Sequence, residues 1–201
     1  MVCSILDERT WNKINKMIEL FAAILTLWCV WLTTKRNIMS WPVGIVAIFL
    51  YSYIFFEVKL YADFFLQGVF LIQSIYGWHN WSQNKNKINE VIINRMSTLN
   101  RVWSVNVILF LYITISLILI HYTDASVPYA DAFITSLCIV ANWLLSKRKI
   151  ENWYLWIIAD FLFIGLFIYK DLYISACLYF ILGMIAIKGL NDWNKQLKQI
   201  S

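Results

Sequence analysis

The chain has 201 residues, of which 61% are hydrophobic, 17% aromatic and only 14% charged, with a formal net charge of +5. So few charged groups cannot solvate the surface of a chain this apolar, which excludes both a soluble globular domain and a disordered segment. The net charge is no nucleic-acid footprint either, because Lys and Arg gather between the apolar stretches, where they set orientation in a membrane.

Seven apolar stretches follow one another, each of the length that a hydrocarbon core of about 30 Å asks of a helix. Residues 1–16 contain Asp7 and Glu8 and lead into Met17–Thr34. No small-residue cleavage pattern follows, so this reads as a retained first helix and not a signal peptide. Ser40–Phe56 carries Pro42 in its first turn, where a missing N–H costs nothing. Leu60–Trp81 is the third helix. The polar link Ser82–Arg101 reads as a solvated connector, with a short amphipathic piece through Ile88, Val91 and Ile92. Trp103–Ile120 is the fourth helix, Pro128 opens the fifth at Pro128–Ser146, and Asn152–Tyr169 and Leu172–Leu190 complete the set. Continuous apolar runs exclude the alternation of a barrel, so the backbone must satisfy itself as helices. The expected fold is an all-α membrane protein of seven transmembrane helices, forming a single domain over residues 1–201.

Residues 31–81 and 143–193 align without a gap at a constant offset of 112, and about a third of the aligned positions are identical. Trp31-Leu32 matches Trp143-Leu144, Lys35-Arg36 matches Lys147-Arg148, and Trp41 matches Trp153. Further on, Leu60-Tyr61 matches Leu172-Tyr173, Gly77 matches Gly189, and Trp81 matches Trp193. Internal repeats of this kind mark transporters, with the substrate site near the repeat interface. Each copy holds three helices, repeat one over 17–81 and repeat two over 128–193, with the helix at 103–120 between them. The extra helix restores the orientation that three crossings reverse, so the repeats are expected to be parallel. This 3+1+3 plan is, as an architecture, that of the SWEET sugar transporters. Arg9, Lys13, Lys16, Lys59 and Lys170 fall on one side, and the other twelve of the 17 Lys and Arg on the opposite side. The positive-inside rule then places the N-terminus outside and the C-terminus in the cytoplasm.

Catalytic patterns such as HExxH, GxSxG or a P-loop are absent, so an enzyme is not expected. The four cysteines (Cys3, Cys29, Cys138 and Cys177) are scattered, and His79 and His121 are isolated, so neither disulfide framework nor metal site nor cofactor is indicated. Polar groups at membrane depth are costly and usually face a cavity or a partner helix. On the sixth helix, Trp153, Trp156, Asp160, Phe163 and Phe167 follow spacings of 3, 4, 3 and 4, which puts them on one face. An ionisable residue among aromatics suggests a box for a flat cationic or polyhydroxyl ligand. The competing reading makes the tryptophans an interfacial belt and Asp160 a satisfied interhelical partner. On the third helix Gln67, Ser74, Trp78 and Trp81 form a matching stripe, and Gln67 aligns with Tyr179 in repeat two. Asp63 and Asp131 stand near helix N-termini, where a carboxylate complements the dipole. Gly77 and Gly189 are expected to allow close helix approach.

The run Leu60-Tyr61-Ala62-Asp63, then Gln67, Ile75-Tyr76-Gly77-Trp78 and Trp81, resembles the first-repeat signature of the PnuC family of bacterial vitamin transporters. Lys149-Ile150-Glu151-Asn152-Trp153, Trp156, and Leu172-Tyr173 followed by Tyr179 resemble the second. The resemblance runs over nearly the whole chain. It implies a bacterial inner-membrane protein with a SWEET-like fold, a homotrimer, and nicotinamide riboside as the vitamin taken up. Uptake would be facilitated diffusion, driven by intracellular phosphorylation that traps the vitamin. The spacing and the resemblance together give Trp153, Trp156, Asp160, Phe163, Gln67, Tyr179 and Trp78 as the expected substrate-binding residues, and the expected partners are the vitamin and membrane lipid, not nucleic acid. One departure matters. Riboside transporters of this family show WxxW followed by NxxY on the sixth helix, whereas Asp160 and Phe163 stand here in the NxxY positions. A thiamine transporter of the same family is therefore a rival, and a non-transporting membrane scaffold is the alternative of another class.

Overall fold

The computed structural model describes residues 8–57, 61–84, 92–123, 127–169 and 173–200, with side chains omitted for residues 8–15, 61–63, 174 and 200. The described residues form seven helices: α1 (Glu8–Thr34), α2 (Ser40–Glu57), α3 (Tyr61–Gln83), α4 (Thr98–Tyr122), α5 (Pro128–Ser146), α6 (Asn152–Tyr169) and α7 (Tyr173–Ile200). Three run past their apolar limits: α1 begins at Glu8, α4 takes in Thr98–Arg101 from the expected connector, and α7 continues ten residues beyond Leu190. The reason is that hydropathy marks where the bilayer ends, not where hydrogen bonding ends. The Lys188–Asp192 pair (3.2 Å, i,i+4) supports the polar extension of α7, and Ser97 caps α4 through the Asn100 N–H. Leu60, Leu172, Ile88, Val91 and the cations Lys59 and Lys170 lie outside the described residues, as do the side chains of Tyr61 and Asp63.

Among the described residues, six helices are long and apolar enough to cross a membrane, and α3 is not one of them. Its composition explains this, since Gln67, Gln73, Ser74, His79 and Asn80 lower the hydropathy of a 23-residue helix.

The helices close into a ring in the order α1, α2, α3, α5, α6, α7 and back to α1, each packed on its two neighbours. Helix α4 stands outside, packed on α5 alone. Among the described residues no backbone contact spans the ring, so its interior is not filled by helix-on-helix packing. Lipid offers no hydrophobic drive between helices, so polar groups and close-fitting rings must hold the ring together. Between α3 and α5 they form a ladder. Asn142 Nδ2 donates to Gln73 Oε1 (2.9 Å), and Gln73 Nε2 to the Ile139 carbonyl (3.3 Å). Asn80 Nδ2 donates to the Ser146 carbonyl (2.7 Å), Trp81 Nε1 to that of Leu145 (3.0 Å), and Lys147 to the Tyr76 hydroxyl. Replacing Gln73 with Leu strands the Asn142 amide, at an expected cost of about 1–3 kcal/mol in thermal unfolding. The double change Gln73→Leu with Asn142→Leu should recover part of that loss. Additive losses in the double-mutant cycle would show that the pair does not couple.

The turns after α1 and α5 are built alike. Asn37 N–H donates to the Leu32 carbonyl (3.0 Å) and Arg36 N–H to that of Thr33 (2.9 Å). Lys149 and Arg148 repeat both bonds to Leu144 and Leu145, at 2.9 Å each. This is the Schellman closure, and its left-handed residue is Arg36 (φ 56°) in one turn and Arg148 (φ 60°) in the other. The two turns feed a single core of Trp41, Trp81, Leu145, Ile150, Trp153 and Trp193. Trp41 meets Trp81 edge-on at 5.4 Å, Trp153 meets Trp193 edge-on at 5.5 Å, and Trp81 and Trp193 lie 6.1 Å apart. Gly77 and Gly189 do permit close approach, but of an indole and not of a second backbone. A Cβ on Gly77 would fall 2.3 Å from Trp41, and one on Gly189 2.6 Å from Trp153.

Candidate functional site

Helices α2 and α6 stand on opposite sides of the ring, three places apart in its order. Periodicity places Trp153, Trp156, Asp160, Phe163 and Phe167 on one face of α6, and that face turns inward. Trp153 is 1% exposed and Asp160 5%, whereas Tyr154, Ile158 and Phe161 on the other face are 46–69% exposed. Phe163 stacks on Phe167 (5.7 Å between centroids, 14° between planes). On α2 the residues 112 positions earlier do the same: Tyr51 stacks on Phe55 (6.0 Å, 23°). Each of the two opposed helices therefore presents a stacked aromatic pair at the same register. Tyr179 from α7 joins the α6 pair, 4.3 Å from Phe163 and 5.2 Å from Phe167.

Polar groups converge on these rings. Tyr179 lies within electrostatic reach of Asp160, Cys138 and Tyr51, which brings α7, α6, α5 and α2 to one place. Tyr51 lies beside the Thr26 side chain of α1, whose own hydroxyl donates to the Ala22 carbonyl (3.0 Å). Gly183 of α7 packs beside Asp160, where an added Cβ would lie 3.5 Å from the Asp160 Cβ and 3.9 Å from its Oδ2. Among the described residues no hydrogen-bond donor or cation reaches the Asp160 carboxylate. Such a group at membrane depth is costly, and a cationic or hydroxyl-bearing ligand would relieve that cost.

The other expected site residues fall elsewhere. Trp156 lies between two core clusters, next to the box. Trp153 belongs to the tryptophan junction at the ring's end, pinned by Trp193 and Gly189. Gln67 is half-buried on α3 without a hydrogen bond to the box, and Trp78 is 43% exposed on the same helix. Ser74 and Trp81 of the α3 stripe are buried at 6% and 0%. Asn142 bonds Gln73 across the α3–α5 seam. Tyr51 and Cys138 escaped the sequence reading. Tyr51 carried a signal, since it is the offset partner of Phe163; Cys138 carried none beyond being apolar-flanked.

Residues 16–195 match the family model described as nicotinamide mononucleotide transporter. The nicotinamide riboside transporter PnuC of Escherichia coli (strain K12) is 27% identical over 88% of this chain and 84% of its own. The riboflavin/roseoflavin transporter RibM of Streptomyces davaonensis is 23% identical over 87% of this chain and 83% of its own. A crystal structure of the vitamin B3 transporter PnuC superposes with a TM-score of 0.73 at 21% identity, covering 94% of this chain and 89% of that one. With its apolar helices in a closed ring and most of its length matched by the family model, the chain belongs to the nicotinamide mononucleotide transporter family of multi-pass membrane proteins.

Proposed function

We propose that this protein takes up nicotinamide riboside by facilitated diffusion through the ring interior. The observation that carries this reading is the unpartnered Asp160 carboxylate among stacked aromatic pairs on opposed helices. The pyridinium of the riboside is flat and cationic, so it suits stacking and cation–π attraction, each worth about 0.5–2 kcal/mol when desolvated. Its ribose hydroxyls would donate to Asp160. The binding residues in this reading are Asp160, Phe163, Tyr179 and Trp156, joined by Tyr51, with Gln67 and Trp78 lining the approach and Trp153 holding the junction.

The two triple-helix bundles act as parallel, SWEET-like repeats with α4 as the joint of a 3+1+3 plan. Two features support this. The matched turns share one core, and the offset partners Trp81 and Trp193 touch, as residues beside a two-fold axis do. Rocking of one bundle against the other exposes the site alternately to each side, and phosphorylation inside the cell retains the vitamin. Charge asymmetry supports an inner-membrane orientation with the N-terminus outside and the C-terminus in the cytoplasm. The family resemblance supports a homotrimer.

A second ligand is favoured by one residue. Asp160 replaces the Asn expected of a riboside transporter, and an ionised carboxylate only accepts hydrogen bonds, which suits the cationic thiazolium of thiamine. Titration of the purified protein with nicotinamide riboside, thiamine and riboflavin, followed by uptake into proteoliposomes, separates the readings. Saturable uptake of the riboside is expected. Tighter binding of thiamine would reassign the substrate, and no vitamin entry at all would leave a scaffold.

A further inference from the structure

Away from the ring interior, a cavity of about 350 Å³ opens at the basic end of the molecule, lined by Arg95, Arg101, Ile150, Glu151, Tyr154 and Asn194. We infer that it holds the phosphate headgroup of an anionic phospholipid.

Four segments meet at the cavity: the connector before α4, the start of α4, the start of α6 and the end of α7. The connector is strapped to the α5–α6 turn. Asn94 N–H donates to the Arg148 carbonyl (3.0 Å), and Ile150 N–H returns a bond to Asn94 (3.0 Å). Glu151 accepts the Met96 N–H at 3.0 and 3.1 Å and one guanidinium nitrogen of Arg101 at 3.0 Å. Arg95 donates to the neutral Asn194 amide oxygen (3.1 Å). The lining thus holds two guanidinium groups and one carboxylate. Each guanidinium has five N–H donors, so both keep several to offer a phosphate, and Tyr154 adds a hydroxyl.

The surroundings argue for a lipid as the source of that phosphate. Helices α4 and α6 both pack on α5 and make no backbone contact with each other. Down the α4 side from Arg101 run Val105 and Leu109, 56% and 49% exposed; down the α6 side from Tyr154 run Ile158 and Leu162, 46% and 37% exposed. These i, i+4 and i, i+8 rows are apolar tracks that begin at the cavity and lead into bilayer depth. An acyl chain fits the tracks while its headgroup meets the arginines, as basic pockets between transmembrane helices hold acidic headgroups. A lipid seated there ties α4 and the connector to α6.

The test uses the whole protein in lipid nanodiscs, with co-purifying lipid identified by native mass spectrometry. The wild type is expected to retain phosphatidylglycerol over phosphatidylcholine. Arg95→Gln can still donate to Asn194 but loses the charge, and should reduce that preference about tenfold, the worth of one charge-assisted contact. Lys198→Gln removes an exposed cation elsewhere at the same end and should leave the preference unchanged. Equal retention of the two lipids by the wild type overturns the assignment, whatever becomes of the variants. So does an equal loss in Arg95→Gln and Lys198→Gln, which would reduce the effect to net charge. Thermal protection by inorganic phosphate in the absence of lipid, matching that given by phosphatidylglycerol, would assign the cavity to a soluble anion and overturn the lipid.

Discussion

Asp160→Asn is expected to move the uptake of nicotinamide riboside and of thiamine in opposite directions. The side chain keeps its size and place against Gly183, so the change is one of charge and hydrogen-bonding sense. An amide both gives and takes hydrogen bonds, which suits ribose hydroxyls; a carboxylate only takes them but balances a fixed positive ring. Riboside uptake should therefore rise or hold while thiamine uptake falls. A hydrogen bond to a charged group is worth about 1.5–3 kcal/mol, so the ratio of the two should shift by roughly ten- to a hundredfold. Asp160→Leu, which removes both properties, should depress uptake of both ligands. Radiolabelled uptake into proteoliposomes at matched protein content reads the effect. If the ratio stays where the wild type puts it, Asp160 does not touch the ligand and the proposed site is wrong.

The largest effect on stability is expected at Gly77 and Gly189. Added Cβ atoms there would lie 2.3–2.8 Å from the indoles of Trp41 and Trp153, far inside contact distance. Neither indole can swing away, because Trp81 and Trp193 hold them edge-on at 5.4 and 5.5 Å. Gly77→Val and Gly189→Val should each lose about 1–3 kcal/mol or more through overpacking. Gly68→Val and Gly165→Val, where nothing lies within 4 Å, serve as matched controls on the same pairs of helices. The two losses should not add, since Trp81 and Trp193 touch each other and couple the sites. Unfolding midpoints in detergent that fall alike for all four variants would show that the junction is no tighter than the rest of the bundle.

Much of this architecture could be read from the chain. Pro128–Ser146 and Asn152–Tyr169 end in the structure where the apolar runs end, because a proline opens the first and one tight turn closes it and starts the second. The inward face of α6 followed from spacing, since one Asp among four aromatics leaves only one plausible stripe. Helix α3 was harder. It carries polar groups on two faces, and the row through Gln73 and Asn80 forms the α3–α5 ladder. A stripe drawn through Gln67 and Trp78 missed that row. Tyr51 was legible only through the duplication, as the partner of Phe163. The strap between Asn94 and the α5–α6 turn has no local signature at all, because it pairs main-chain groups some 55 residues apart.

The meeting of Trp81 with Trp193 has a mechanical consequence. If the two bundles rock as proposed, this contact is their shared fulcrum, and relative motion grows with distance from it. A helix of 27 residues such as α1 is about 40 Å long, so a tilt of about 10° there becomes roughly 7 Å of travel at the far mouth. Under that proposed motion the distant entrance would gape while the tryptophan end barely stirs, and emptying toward the basic side would require the four indoles themselves to part.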